Sequence, residues 1–213
     1  MIEAILWDND GVLVDTEHLY FQATREAMAE VSVPLSERDY IDFLLKDSRG
    51  AWHLAEEAGV SAERIGALKA LRNKRYSELL AADTHTIDGV RETLAELHGQ
   101  YAMGIVTSSR RDHFDIIHSR TGLIEYFDFV VAGGDYAQSK PAPDPYLAGL
   151  QRLEVAAGCC IVIEDSERGL QSALAAGLGC IVIPSGMTKG GDFSGAAAIL
   201  KSVREVPETI AAR

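Results

Sequence analysis

The sequence has few cysteines and no long apolar run. Its three cysteines, Cys159, Cys160 and Cys180, lack the paired C-x-x-C spacing of a zinc site, so we expect buried structural thiols. No apolar stretch approaches the ~20 residues that a membrane-spanning helix needs. The first residues already form an apolar strand pattern, which leaves no room for a signal peptide, and we therefore expect a cytoplasmic protein.

Basic residues are also scarce. The 213 residues include 20 Lys and Arg against 32 Asp and Glu, which gives a formal net charge of −12. A negative field of this kind repels nucleic acids and anionic membranes, so we expect neither as a partner. It also repels phosphorylated ligands at long range, so a phosphate site would need a local positive charge or a metal. We expect a monomer as the default state.

Short apolar runs recur along the chain and are separated by helical patterns. They lie near residues 2–7, 102–107, 127–132, 159–163 and 180–184. Strands that alternate with helices are typical of a doubly wound α/β fold with a parallel sheet.

The segment from about Asp15 to Asp88 has no convincing strand pattern. Leu19, Ala23 and Ala27 follow a helical period, and Ser61 can cap a later helix. We therefore predict an all-helical insertion after the first strand, which must bury its apolar faces within itself.

The most informative segment is Ile5–Leu13, where an apolar run ends in Asp8 and Asp10. Gly11 predicts the turn that leaves the strand. Two carboxylates this close repel each other unless a cation or a shared proton relieves them, and ligands bind at such strand ends in open α/β sheets. The alternative is an ordinary turn in which one aspartate caps a backbone group.

Three later segments add polar residues at the ends of apolar runs or in a rigid loop. Thr107 and Ser108 end the second run, Lys140 precedes a proline-rich loop, and Glu164 and Asp165 end the fourth run. Each has an ordinary interpretation, respectively a turn, a solvated lysine and a helix cap.

Together the four segments, in this order, resemble the haloacid dehalogenase-like superfamily and, within it, the branch of sugar-phosphate phosphatases and β-phosphoglucomutases. The resemblance covers nearly the whole chain. It implies a Rossmann-like core domain formed by residues 1–14 and 88–213, with a doubly wound parallel sheet. It also implies that residues 15–87 form a helical cap domain.

The resemblance implies a role for each acid of the first segment. Asp8 is the nucleophile that forms an aspartyl-phosphate, and the low pKa of a carboxyl keeps it ionised at neutral pH. Asp10 protonates the leaving oxygen and then takes a proton from the attacking water. The halide-cleaving members lack this second aspartate, so Asp10 argues against dehalogenation.

The other motifs supply a metal site and a phosphate site. The resemblance implies Mg²⁺ as the cofactor, bound by Asp8, the backbone carbonyl of Asp10, Asp165 and, directly or through water, Glu164. Thr107 or Ser108 would hold the phosphoryl oxygens, with Lys140 as the positive partner.

The expected substrate is a small phosphorylated metabolite, which the cap would recognise. The segment Lys46–Gly50 corresponds to a substrate-reading loop in this branch, and Arg49 could hold a distal phosphate or sugar hydroxyls. A solvated arginine is the competing interpretation.

Three functions remain open from the sequence. The first is an Mg²⁺-dependent phosphatase that acts on a sugar phosphate. The second is a β-phosphoglucomutase-like phosphotransferase, but the mutases carry a histidine in the hinge helix where this chain has Tyr20, and a phenol with a pKa near ~10 is a poor proton relay. The third is a non-catalytic binding protein on the same fold.

Overall fold

The computed structural model describes residues 1–46 and 50–213. The chain folds into two compact units. One comprises Met1–Asp15 together with His85–Arg213, and the other comprises Thr16–Thr84.

The first unit contains a sheet of six parallel strands. They are β1 (Ala4–Trp7), β2 (Ala102–Arg110), β3 (Phe129–Gly133), β4 (Cys160–Glu164), β5 (Gly179–Val182) and β6 (Ala198–Ile199). Their order across the sheet is β3-β2-β1-β4-β5-β6. The chain thus builds outwards from β1 on one side and from β4 on the other, which is the doubly wound arrangement.

The first four helices belong to the second unit, and the later five belong to the first unit with the sheet. They are α1 (Glu17–Ala29), α2 (Glu37–Tyr40), α3 (Trp52–Glu57), α4 (Ala62–Asp83), α5 (Val90–Leu97), α6 (Arg111–His118), α7 (Asp144–Leu153), α8 (Glu167–Ala175) and α9 (Val206–Ala211).

Strands β1 and β4 form the centre of the sheet and are buried along their whole length. Such strands read as continuous apolar runs because both faces are covered by helices. Helix α7 approaches the sheet so closely at Gly149 that a Cβ there would lie 2.7 Å from the Val106 side chain. Gly149 and Tyr146 therefore face the sheet. Leu147, which the apolar pattern placed on the inner face, is instead 46% exposed.

The described residues of the second unit form helices joined by turns, with no strand among them, and a π-helical segment Ile41–Lys46 follows α2. Ser61 caps α4, as the sequence predicts, by accepting a hydrogen bond from the Arg64 N–H at 3.2 Å. A small core of Met28, Val33, Ala55 and Ile65 shows that this segment buries its own apolar side chains.

The predicted fold class, a doubly wound α/β sheet with an inserted helical segment, is confirmed. The pattern missed β6, which has only two residues. Cys160 and Cys180 are buried as expected, whereas Cys159 is partly exposed. None of the helices described here is long and apolar enough to cross a membrane. The cap role of residues 15–87 stays a prediction.

Candidate active site

The candidate site lies at the carboxyl edge of the sheet, where the strand order reverses between β1 and β4. Trp7 pairs with Ile163, and the N–H of Asp8 donates to the Ile163 carbonyl at 2.9 Å, so Asp8 comes level with Glu164. In doubly wound sheets this switch point is where ligands bind. The register therefore brings together acids that are more than 150 residues apart in the chain.

Lys140 joins the two strand ends. Its Nζ donates to Asp8 Oδ1 at 2.7 Å, to Glu164 Oε1 at 2.7 Å and to the Val106 carbonyl at 3.0 Å. The residue is only 5% exposed. Burial alone would lower the pKa of Lys140, but the two adjacent carboxylates raise it above its usual range, so the ammonium is charged at any physiological pH. All three of its protons are committed to named acceptors.

Glu164 is saturated with hydrogen-bond donors. Its Oε1 accepts from Lys140 and from the Tyr146 hydroxyl at 2.7 Å, and its Oε2 accepts from the N–H groups of Asp165 and Ser166 and from the Ser166 hydroxyl. Burial would raise the pKa of Glu164, but Lys140 and these hydrogen bonds hold it below its usual range. A Cβ on Gly169 would lie 1.9 Å from this carboxylate, so α8 must have glycine there.

The pKa of Asp8 is shifted in the opposite direction from that of Glu164. Burial, followed by repulsion from Glu164, raises the pKa of Asp8 from 3.8 to about 7, although Lys140 opposes the shift. The expectation that an ordinary low pKa keeps Asp8 ionised therefore does not hold without a metal, because burial and repulsion from Glu164 outweigh the attraction of Lys140.

Asp165 is held by the segment that follows β5. Its Oδ2 accepts from the Ser185 hydroxyl at 3.2 Å and from the Thr188 hydroxyl at 3.1 Å. Gly11 lies against the same carboxylate at a φ of +84°, and a Cβ there would meet Asp165 Oδ2 at 2.1 Å. The glycine of the first motif is thus required both by the turn and by the close approach of the two loops.

The carboxylates of Asp8, Glu164 and Asp165 form one buried cluster, and an oxygen atom from each lies within 4.8 Å of the others. Carboxylate oxygens are the ligands that Mg²⁺ and Ca²⁺ prefer. Burial and repulsion from Glu164 raise the pKa of Asp8, and the positive charge of a divalent cation would oppose both effects. The residues present therefore fit a hard divalent cation.

Asp10 is oriented by donors from β2 and from the loop that follows β1. Its Oδ2 accepts from the Thr107 hydroxyl at 3.2 Å, the Ser109 hydroxyl at 2.7 Å and the Asn9 amide at 3.3 Å. The Ser109 contact was not predicted, although Ser109 continues the Thr-Ser-Ser run that ends β2. The structure brings Asp10 and Thr107 together as the sequence predicts.

Ser108 differs from its two neighbours. Its Oγ is buried, and no residue of the described ranges offers it a hydrogen-bond partner. A buried hydroxyl without a partner is costly in a folded protein. Of the two residues that the sequence leaves open, Thr107 donates to Asp10, and the choice between Thr107 and Ser108 as the phosphate contact stays a prediction.

Arg49, the predicted substrate-reading residue, lies outside the described residues. In the second unit, Tyr20 instead has a defined environment. Its hydroxyl accepts a hydrogen bond from the Arg72 guanidinium, which also stacks on the Tyr20 ring at 4.4 Å from the ring centre. Tyr76 packs edge-on against the same ring.

Several residues of the site escaped the sequence analysis. They are Asn9, Ser109, His118, Tyr146, Ser185 and Thr188. Ser185 and Thr188 follow β5 at the same edge as Asp165, so the rule about parallel strand ends could have found them. Tyr146 was read only as an apolar helix position, and nothing in the spacing links it to Glu164.

Comparison with known proteins agrees with this geometry. The family model described as haloacid dehalogenase-like hydrolase matches residues 5–183. Protein CbbY of Rhodobacter capsulatus is 33% identical over 97% of this chain and 99% of its own length. A phosphorylated carbohydrates phosphatase of Thermotoga maritima is 31% identical over 83% of this chain and 82% of its own.

A solved structure gives the same result. CbbY of Rhodobacter sphaeroides in complex with xylulose-(1,5)bisphosphate is 27% identical, with a TM-score of 0.82 over 96% of both chains. The resemblance inferred from the four sequence segments is confirmed by these matches, and the chain belongs to the haloacid dehalogenase-like hydrolase family.

Proposed function

We propose that this protein is a Mg²⁺-dependent phosphatase that hydrolyses a small phosphorylated sugar through an aspartyl-phosphate on Asp8. The enzyme class follows from the family, and the chain is a phosphoric monoester hydrolase of the haloacid dehalogenase-like type. The metal, the sugar and the covalent route are the proposal. The observation that carries it is the buried contact of Lys140 with Asp8 and Glu164 beside Asp165.

The substrate class is supported by what the relatives are named for. One is a phosphatase of phosphorylated carbohydrates, and another binds xylulose-(1,5)bisphosphate. Both are similar to this chain over most of its length. A phosphorylated sugar is therefore the class of substrate to test first, with Arg49 and the rest of the segment 15–87 proposed to read the sugar.

In the first half of the reaction, an oxygen of Asp8 attacks phosphorus and the bond to the sugar oxygen breaks. Lys140 and the Ser108 hydroxyl face the charge on the phosphoryl oxygens, together with backbone N–H groups after Thr107. Asp10 gives its proton to the departing sugar oxygen, which leaves as an alcohol. The phosphoryl group is then bound to Asp8.

In the second half, water attacks the same phosphorus atom. Asp10, now ionised, takes a proton from this water, and the bond between phosphorus and the Asp8 oxygen breaks. Inorganic phosphate leaves and Asp8 is regenerated. The same carboxyl thus serves as acid and then as base, which requires that its orientation be maintained.

The proposed metal ligands are Asp8, Asp165 and the backbone carbonyl of Asp10. Glu164, whose two oxygens already accept five hydrogen bonds, would reach the ion through water. A bound Mg²⁺ would supply positive charge that offsets repulsion between the nucleophile and the phosphoryl oxygens.

A phosphomutase would use the same core residues but needs a proton relay that discriminates the sugar hydroxyl from water. At the position where the mutases carry a histidine in the hinge helix, this chain has Tyr20. The Tyr20 hydroxyl accepts a hydrogen bond from the Arg72 guanidinium. This engagement favours hydrolysis over phosphoryl transfer.

Phosphorus NMR of the purified protein with Mg²⁺ tests the function. The panel would contain xylulose 1,5-bisphosphate, fructose 1-phosphate, glucose 6-phosphate, and β-glucose 1-phosphate with a trace of the 1,6-bisphosphate. We expect a growing signal of inorganic phosphate from at least one ester. A new phosphomonoester without free phosphate would instead establish a mutase, and no turnover of any ester would contradict the proposal.

Metal binding should depend on pH because burial and repulsion from Glu164 raise the pKa of Asp8 to about 7. A carboxyl whose pKa is raised by folding stabilises the protein at low pH, and this stability is lost as the pH rises through about 7. We expect the melting temperature of the metal-free protein to fall between pH 5 and pH 8. Excess Mg²⁺ should raise it by about 5–10 °C at pH 8 and by much less at pH 5, where protons compete for Asp8.

The matched control is Asp115→Asn, which removes one exposed acid in α6. Its Mg²⁺ response should equal that of the wild type, whereas Asp165→Asn should lose the response. An equal effect of Mg²⁺ at pH 5 and pH 8, or an effect that NaCl of the same ionic strength reproduces, would contradict the metal site.

A further inference from the structure

The residue between the two acids of the first motif is a fully buried asparagine. Asn9 is 0% exposed, and a buried amide costs free energy unless both of its ends are hydrogen-bonded. Here both ends are bonded. Its Nδ2 donates to Asp10 Oδ2 at 3.3 Å, and its Oδ1 lies 2.7 Å from Nε2 of His118, the last residue of α6.

The contacts continue beyond His118 to the following turn. His118 Nδ1 lies 2.8 Å from the Thr121 hydroxyl, and that hydroxyl accepts from the N–H of Leu123 at 3.3 Å. Thr121 is buried, so this end of the network is anchored in the core.

When Asp10 is ionised and His118 is neutral, one direction of donation satisfies every member. Asn9 must turn its N–H towards the Asp10 carboxylate, because the opposite orientation would set two oxygens against each other. Its Oδ1 then accepts from His118 Nε2–H, which leaves His118 Nδ1 as the acceptor of the Thr121 hydroxyl proton. A neutral imidazole fits this arrangement, and burial lowers the pKa of His118 to about 4.

We propose that Asn9 and His118 are positioning residues that hold the Asp10 carboxyl in the orientation needed for proton transfer to the leaving oxygen. The inference deepens the proposed function and rests on it. Oδ2 of Asp10 accepts from Asn9, Thr107 and Ser109, so donors on three residues fix the orientation of this carboxyl. Without Asn9, the carboxyl loses its link to α6.

The test compares two aryl esters that differ in how much they need an acid. The leaving group of p-nitrophenyl phosphate departs readily without a proton, whereas that of phenyl phosphate depends more on protonation. The value of kcat/KM covers the steps through transfer of the phosphoryl group to Asp8. The change in the ratio of the two kcat/KM values between a variant and the wild type therefore reports the loss of proton donation. A loss of packing would lower both values equally.

Asn9→Leu keeps the side-chain size and removes both hydrogen bonds, and His118→Phe keeps the ring that packs on Phe114, 4.4 Å between ring centres. We expect each variant to lower kcat/KM about tenfold more for phenyl phosphate than for p-nitrophenyl phosphate. His118→Gln retains an N–H donor for Asn9, and its ratio should return to within about threefold of the wild type.

The possible outcomes distinguish failure of the positioning role from failure of the proposed function. An unchanged ratio in both Asn9→Leu and His118→Phe would overturn the positioning role while leaving the proposed function intact. If Asn9→Leu does not fold, the pair His118→Phe and His118→Gln decides the question. Phosphate release that persists in Asp8→Asn would overturn the proposed function itself.

Discussion

Replacing Asp8 by asparagine should abolish hydrolysis of phosphate esters while leaving the protein folded. The amide cannot attack phosphorus, so we expect turnover to fall by at least about 10⁴-fold, to the level of the assay background. The backbone is unaffected, because the N–H of Asp8 belongs to the sheet and still donates to Ile163. Phosphate release measured with saturating substrate and Mg²⁺ gives the result.

Stability measurements on the same variant distinguish a lost nucleophile from a lost fold. Asparagine removes a charge whose raised pKa shows that it is destabilising in the metal-free protein at high pH. The melting temperature of metal-free Asp8→Asn at pH 8 should therefore equal or exceed that of the wild type. Asp115→Asn, the exposed control, should retain full activity. Turnover of Asp8→Asn within tenfold of the wild type would contradict the role of Asp8.

Replacing Lys140 by methionine should damage both stability and activity. Methionine fills a similar volume but leaves Asp8 and Glu164 buried without their cation, and breaking a buried pair in this way costs about 3–5 kcal/mol. If Lys140 faces the phosphoryl group as proposed, loss of its charge should also lower kcat by about 10³-fold or more. Urea unfolding of the metal-free protein at pH 8 gives the first value.

The loss of stability in Lys140→Met should depend on pH. Lys140 lowers the pKa of Asp8, so its removal raises that pKa further above the value in unfolded chains. Protonated Asp8 is neutral, and the loss of stability should therefore be smaller at pH 5 than at pH 8. Adding Glu164→Gln should recover part of the stability, because it removes one uncompensated charge.

Lys189→Met provides the control, since Lys189 is exposed. Its stability should stay within about 0.5 kcal/mol of the wild type at both pH values. A loss for Lys140→Met no larger than that of this control would show that the lysine does not compensate the buried acids.

The sequence predicts the central part of the site because parallel strands share one carboxyl edge. Asp8 after β1, Thr107 in β2 and Glu164 at the end of β4 each follow an apolar run, and the sheet brings them together. Lys140 comes from a loop, where no periodicity places it. Only the resemblance to a known family predicted its position.

The remaining contacts depend on side chains that have no pattern of their own. His118 reaches Asn9 because α6 ends beside the first loop, which no local signal encodes. Leu147 appears apolar and inward-facing in sequence, but the close approach of Gly149 to β2 rotates it outwards. The pKa of Asp8 likewise depends on burial and on Glu164, both of which are properties of the folded chain.

The covalent intermediate on Asp8 is the central claim, and Asp10→Asn tests it most directly. With p-nitrophenyl phosphate this variant should transfer the phosphoryl group to Asp8, because the leaving group needs little protonation. It should then hydrolyse the aspartyl-phosphate slowly, because the base that activates water is missing. We predict a burst of one nitrophenolate per protein in Mg²⁺, and acid-quenched protein that carries a phosphoryl group on the peptide containing Asp8. No burst and no phosphoprotein, or a phosphoryl group on any other residue, would contradict the account.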